Sequence, residues 1–317
     1  MSAIQPITPA AVAALPPNIR FGGSSWTYPG WKGLIYHRTY KSDREFRGEC
    51  LREYGESPLF RTVGVDSAFY NPPSEEVLRR YVGQLPKGFQ WVEKVWERIT
   101  IPKYPGHPRY GEDRGTVNPD FLNPKIFEDG VLSLHRAAEI RPFVGPFVFQ
   151  FPTIRRDVMG ASEFMFRLRE FLGALPRDFR YAIEIRNQEF LVPSYFEVLN
   201  EFGVTHCFNH WHIMPPLKEQ MKRAAAAGGL SADFYVARIL TPLGVSYEGA
   251  VKLFEPYERI KRPNEEMRRD VVRLVKRAIE RNVDAYIIVN NRSEGNSPGT
   301  ISAIAEMVMA GATTTVD

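Results

Sequence analysis

The chain places Glu184 two residues before Arg186 at the end of a short apolar run, Tyr181-Ala-Ile-Glu-Ile-Arg. If the run is a strand, its side chains alternate between two faces. Tyr181, Ile183 and Ile185 then share one face, and Ala182, Glu184 and Arg186 share the other. The same alternation sets Gln150 opposite Phe147, Phe149 and Phe151. It sets Asp66 opposite Val63 and Val65, and puts Lys94 with Val92, Arg238 with Val236 and Asn290 with Ile288. Six apolar runs thus each carry a polar group near the C-terminal end of one face. Burying a charge without a partner is costly, so these groups must pair with one another or meet a ligand. A purely structural network would pair Lys94 with Glu184 and Asp66 with Arg238.

The residue types suggest distinct roles. Glu184, flanked by cations, would stay ionised, which suits a general base better than an acid. Lys94 is an imine-forming nucleophile if desolvated, and otherwise an ion-paired structural lysine. Asp66 is the third catalytic candidate. With Glu184 it forms the only inner-face carboxylate pair, and the fourth run offers only Gln150, so glycosidase chemistry ranks low. Arg186 and Arg238 would stabilise negative charge. Gln150, Asn290 and Asn291 would orient a substrate, and Trp26, Tyr28 and Tyr70, with Trp31 nearby, would stack on it. The stretch from Asn290 to Thr300 leads into a helix expected to be capped by Ser297-Pro298. It reads either as a phosphate- or carboxylate-binding turn or as a glycine-rich loop with a good cap. His210 and His212 have the spacing of a metal pair, with His206 close by. No third ligand is evident, so they are expected as surface or loop histidines and no metal is assigned.

Eight short apolar runs would position these groups: 19–25, 60–67, 89–95, 146–151, 181–185, 204–209, 234–240 and 285–290. Helical patterns alternate with them. Ser74 should cap a helix carrying Val77, Leu78, Tyr81, Val82 and Leu85. Ser162 precedes Met165, Leu168, Phe171 and Leu172, and Asn264 precedes Met267, Val271, Leu274 and Val275. Eight alternating repeats favour an α/β fold, a single closed (β/α)8 TIM-type barrel, over an open sheet. Residues 1–18, rich in Ala and Pro, are expected as a flexible arm, and 19–317 as the barrel domain. The Pro- and Gly-rich stretch 101–129 follows the third strand, on the catalytic face, where it would serve as a lid.

Composition agrees. In 317 residues, 44% hydrophobic and 25% charged is a globular balance. Two cysteines exclude a disulfide scaffold and a Cys-rich zinc site. No apolar run is long enough to span a bilayer, and residues 1–18 lack the pattern of a secretory leader. A cytoplasmic protein without membrane partners is expected.

Several of these segments also match a family pattern. Gly22-Gly-Ser-Ser-Trp-Thr-Tyr-Pro-Gly-Trp31, Thr62-Val-Gly-Val-Asp-Ser-Ala-Phe-Tyr70, Gly145-Pro-Phe-Val-Phe-Gln-Phe-Pro152, Ala182-Ile-Glu-Ile-Arg186 and Val289-Asn-Asn291 with Glu294-Gly295 resemble the domain-of-unknown-function 72 family, the YecE-like proteins. The resemblance implies a TIM-type barrel and supplies no activity. The chain departs from the pattern at Gly64, where a glutamate is usual, and at Asp66, where an asparagine is usual. Asn187 and Leu240 replace histidines.

The expectation is therefore an enzyme acting on a small anionic molecule, phosphorylated ones included, with hydrolase and lyase chemistry ranked first. The alternatives are a nucleic-acid-binding or metal-dependent nucleic-acid-processing barrel, for which a net charge of +4 is mild support, and a non-enzymatic ligand-binding protein. Neither the cofactor nor the oligomeric state can be read from the sequence.

Overall fold

The computed structural model describes residues 7–311. Eight parallel strands form the barrel: β1 (Ile19–Gly23), β2 (Thr62–Val65), β3 (Gln90–Lys94), β4 (Val144–Gln150), β5 (Tyr181–Glu184), β6 (Thr205–His210), β7 (Phe234–Ile239) and β8 (Asp284–Val289). Ladders run β1-β8-β7-β6-β5-β4-β3-β2. With the surrounding helices this is the expected (β/α)8 barrel. Each strand is short and buried on both faces, which accounts for its nearly continuous apolar character.

The two faces sort as the alternation predicts. Val92, Val148, Ala182, Cys207, Val236 and Ile288 pack together inside the barrel. Phe21, Val63, Val65, Trp91, Phe147, Phe149 and Ile183 join the larger core shared with the helices.

The β1–β2 seam closes differently from the seven ladders. Gly22 lies so near β2 that a Cβ there would stand 1.9 Å from the Thr62 carbonyl oxygen. The Arg61 N–H donates to the Phe21 carbonyl at 2.9 Å. The Tyr54 hydroxyl then spans the seam, accepting from the Gly23 N–H at 2.7 Å and donating to the Thr62 carbonyl at 3.0 Å. Gly64 meets the same crowding: a Cβ would come within 3.1 Å of Ser24 Cα and 3.2 Å of Ile288 Cγ2. A side chain here would require Ser24 or Ile288 to give by a few tenths of an ångström.

Caps follow the sequence in part. Ser74 accepts from Val77 N and begins Glu75–Val82, and Asn264 accepts from Met267 N and begins Glu265–Arg281. Ser162 caps nothing, because Ala161–Ala174 starts after Gly160. For the last helix, Ser297–Ala310, the cap is Asn296, which accepts from Gly299 N, and Pro298 falls inside the first turn.

The segment expected as a flexible arm is instead packed from residue 7 onward. Pro9–Ala13 is helical, Val12 and Leu15 are buried, and Thr8 N donates to Ser302 Oγ. The Arg61 guanidinium collects five carbonyls, those of Val12, Ala13, Leu15, Pro16 and Ile19. Alanine- and proline-rich composition concealed this, because the anchor lies on another element. Residues 1–6 of the expected arm and 312–317 of the expected barrel domain lie outside the described residues.

The stretch after β3 carries its own structure. Lys103 and Val117 form an antiparallel bridge, and the Asn118 amide donates to the carbonyls of Arg98 and Ile101, both at 2.7 Å. The return to β4 is tied to β3 by a buried His135 Nε2–Glu93 contact of 2.8 Å. Among the described residues no helix is long and apolar enough to cross a membrane.

Candidate functional site

The inner-face groups of β2, β3, β5 and β7 converge at the C-terminal mouth. Arg238 is almost fully buried and forks between two carboxylates. Its Nη1 donates to Glu184 Oε2 at 2.5 Å, and its Nη2 donates to both Asp66 oxygens at 2.8 and 2.7 Å. Arg186 donates from Nε and Nη2 to the remaining Glu184 oxygen, Oε1, at 3.3 and 3.2 Å. Its guanidinium lies 3.9 Å from the Trp211 ring centre. Four carboxylate oxygens thus face two guanidinium groups, and every oxygen is occupied.

This occupancy decides the state of Lys94. The expected Lys94–Glu184 ion pair does not form; Asp66–Arg238 does. Guanidinium offers a planar fork of donors, so one arginine takes what a single ammonium would need. Lys94 Nζ instead sits 3.5 Å above the Phe69 ring centre. Phe69 ends the 3-10 turn Asp66–Phe69 that follows β2 directly. Burial pushes the Lys94 amine down to about 7, with Arg238 and Arg186 adding to the effect and Asp66 and Glu184 opposing it. Burial thus favours the unprotonated amine far more than at an ordinary lysine.

Glu184 is wholly buried. Burial raises its pKa, but Arg238, Arg186 and Lys94 outweigh that and hold the carboxyl below its ordinary value. With both oxygens engaged, it positions the two arginines. Lys94 is left without a carboxylate partner.

The other expected site residues scatter. Gln150 is buried in register with Glu184. Asn290 is absorbed by structure: its Nδ2 donates to Ser24 Oγ at 2.5 Å, and its Oδ1 accepts from Arg292 N at 2.9 Å. Asn291 Oδ1 accepts from Trp31 Nε1 at 3.2 Å and from Ser297 N at 2.8 Å. At the Ser297–Ala310 helix start the backbone donors are taken, Gly299 N by Asn296 Oδ1 and Thr300 N by the Asn296 carbonyl, while Asn291 Nδ2 and Ser297 Oγ are buried without a protein partner. The loop between β8 and that helix also buries Glu294, clamped by Arg268 at 2.9–3.2 Å and by Thr300 Oγ1 at 2.7 Å. The expected capping of this helix start is present, with Asn296 in place of Ser297 as the cap. Trp26 is buried edge-on against Tyr81, and Tyr28 packs on Trp31. Tyr70 is exposed and meets Arg109 of the long loop, 4.8 Å from its ring.

The three histidines do not converge, and His206 and His210, expected on the surface or in a loop, are instead buried within β6. His206 is buried between the Tyr195 hydroxyl and the Gln220 amide oxygen, at 2.9 and 3.0 Å. His210 Nδ1 donates to the Thr241 carbonyl at 2.8 Å and lines a separate cleft of about 370 Å³ with Glu266 and Asp270. His212 lies beyond β6 against the Trp211 ring. Among the described residues no group of three His, Cys, Asp or Glu is placed to hold a metal.

Sequence reasoning missed three neighbours of the site: Asn209, Trp211 and Phe69. Asn209 follows Cys207 on the inner face of β6, pairs in register with Arg238, and buries an Oδ1 that has no protein partner. Its alternation with Cys207 was a usable signal. Trp211 and Phe69 lie just past strand ends, where no periodicity marks them.

The comparisons with known proteins agree with this architecture. A family model described as "Protein of unknown function DUF72" matches residues 20–316. No curated protein matches the chain. A solved DUF72 family protein from Thermotoga maritima MSB8 is similar, with 18% identity, a TM-score of 0.58, and coverage of 92% of this chain and 99% of that one. A DUF72 family protein from Enterococcus faecalis V583 has 15% identity and a TM-score of 0.58 over 94% of this chain and 97% of its own. At such identities the structural likeness speaks to the fold alone; the family model, which spans nearly the whole sequence, makes the chain a member of the DUF72 family.

Proposed function

We propose that this protein is an enzyme that binds a small anionic molecule at the C-terminal mouth of the barrel. The observation that carries the reading is the excess of N–H donors over available acceptors. Lys94, Arg186 and Arg238 meet Glu184 and Asp66, whose oxygens the arginines already use. A phosphate or carboxylate would supply the acceptors that Lys94 and the free Nη1 edge of Arg186 lack. Arg186 is suited to this. Its side chain is 17% exposed, and Trp211 and Glu184 hold its plane, so little ordering cost remains on binding. In barrels of this kind the C-terminal rim is where active sites are built.

Thermal unfolding with inorganic phosphate and phosphoglycolate tests the reading. Ligand at about 100 times its Kd adds about 2.7 kcal/mol to stability. The wild type should melt higher as either anion is added, and Arg186→Met should lose most of that rise. An equal response in the two proteins, or none in the wild type, rejects the mouth as an anion site.

A further inference from the structure

Building on that reading of the mouth, we propose that Lys94 is the nucleophile of an imine-forming step on a small anionic aldehyde or ketone.

Three features of the geometry point this way. First, the rim gives Lys94 no carboxylate. Each oxygen of Asp66 and Glu184 is taken by Arg238 or Arg186, so no ion pair locks the amine as ammonium. Second, its seat is apolar on one side, with Nζ 3.5 Å above the Phe69 ring. A ring face attracts an ammonium; what disfavours the charged form is the burial of the amine among the Arg238 and Arg186 charges. Third, Lys94 ends β3 at the mouth and is only partly buried, within electrostatic reach of Arg186, whose partly exposed guanidinium would hold the anionic end of a substrate. A structural lysine would show the reverse pattern. Lys125 does: its side chain is 82% exposed and bridges to Asp129 at 2.8 Å.

The step balances without an oxidant or reductant. The amine lone pair adds to the carbonyl carbon, a C–N bond forms, and the carbonyl oxygen gains a proton to become the hydroxyl of a carbinolamine. That hydroxyl then leaves as water. The C–O bond breaks, C=N forms, and both hydrogens of the neutral amine end on the departing water. An anionic carbonyl compound fits both halves of the mouth, its carbonyl at Lys94 and its charge at Arg186.

The test is reductive trapping on the full-length protein. The protein is incubated at pH 7 with glyceraldehyde 3-phosphate and sodium cyanoborohydride, and modified lysines are mapped by mass spectrometry. An ordinary lysine is neutral in roughly one molecule in 2,500 at this pH, and Lys94, with its amine pushed down to about 7, in far more. Labelling at Lys94 should therefore exceed that at Lys125 by at least about tenfold and vanish in Lys94→Arg. Inorganic phosphate should suppress it, and neutral glyceraldehyde should react more slowly. Labelling that merely follows surface exposure overturns the proposal even if phosphate still raises the melting temperature. Strong Lys94 labelling by both aldehydes, unaffected by phosphate, upholds the nucleophile and rejects the anion site. Both readouts come from the wild-type protein, so the result does not depend on a variant that fails to fold.

Discussion

Tyr54→Phe removes one oxygen from the β1–β2 seam and nothing else. The ring stays, with its stack on Phe60 at a centroid distance of 4.0 Å and an interplanar angle of 6°. What is lost is the hydroxyl that accepts from Gly23 N–H and donates to the Thr62 carbonyl, at 2.7 and 3.0 Å. Tyr54 is fully buried, so water cannot replace that oxygen without opening the seam. A buried backbone group that loses its partner costs about 1–3 kcal/mol. Two such groups, with the Arg61–Phe21 bond still holding one end, give an expected loss of about 2–4 kcal/mol. Urea unfolding followed by tryptophan fluorescence measures this as a lower midpoint with an unchanged slope. The melting temperature should fall by about 4–8 °C. A loss below about 0.5 kcal/mol would refute the bridging role and leave seam closure to the Arg61–Phe21 contact and side-chain packing.

Three further outcomes follow from the interior. His206 is fully buried and burial holds it down at about 4, against about 6.5 unfolded; the unfolded chain therefore binds the extra proton between these values, and stability should fall by up to about 3 kcal/mol as pH drops from 6.5 to 4, a slope that His206→Gln flattens by one proton in pH-dependent urea titrations. Glu184→Gln leaves both arginines short of a carboxylate and should cost about 3–5 kcal/mol in chemical denaturation, against less for Asp66→Asn, whose side chain is 32% exposed. Restoring the family's residue by Gly64→Glu should block folding or lower the melting temperature steeply, since even a Cβ there crowds Ser24 and Ile288; an unchanged melting curve would show that the seam yields.

Alternation along strands made the barrel interior legible before any coordinates. Ala182, Val236 and Ile288 inside, with Phe147 and Phe149 outside, follow from a period of two. Periodicity assigns a face, but it does not say which charges meet across the mouth. Lys94 and Glu184 share that face, yet Arg238 reaches Glu184 because its fork satisfies two carboxylates at once. Local hydrogen bonding hid the rest. Asn290 and Asn291 have the composition of substrate-orienting amides, yet the turn after β8 uses both ends of Asn290 and the oxygen of Asn291 internally. The 206–212 histidines illustrate the same limit. Two-residue spacing does not bring His210 and His212 together once β6 ends between them, and His206 is claimed by Tyr195 and Gln220.

The central claim is that the rim leaves Lys94 as an unpaired amine of low basicity. It is tested most directly by the pH dependence of trace acetylation with acetic anhydride, read at each lysine by peptide mapping. The account predicts a midpoint near pH 7 for Lys94, while Lys125, raised by its contact with Asp129, titrates above the ordinary lysine range. Arg186→Met, which removes one of the cations beside Lys94, should shift the Lys94 midpoint upward. A Lys94 midpoint near 10.4, the value of a free lysine, would contradict the account.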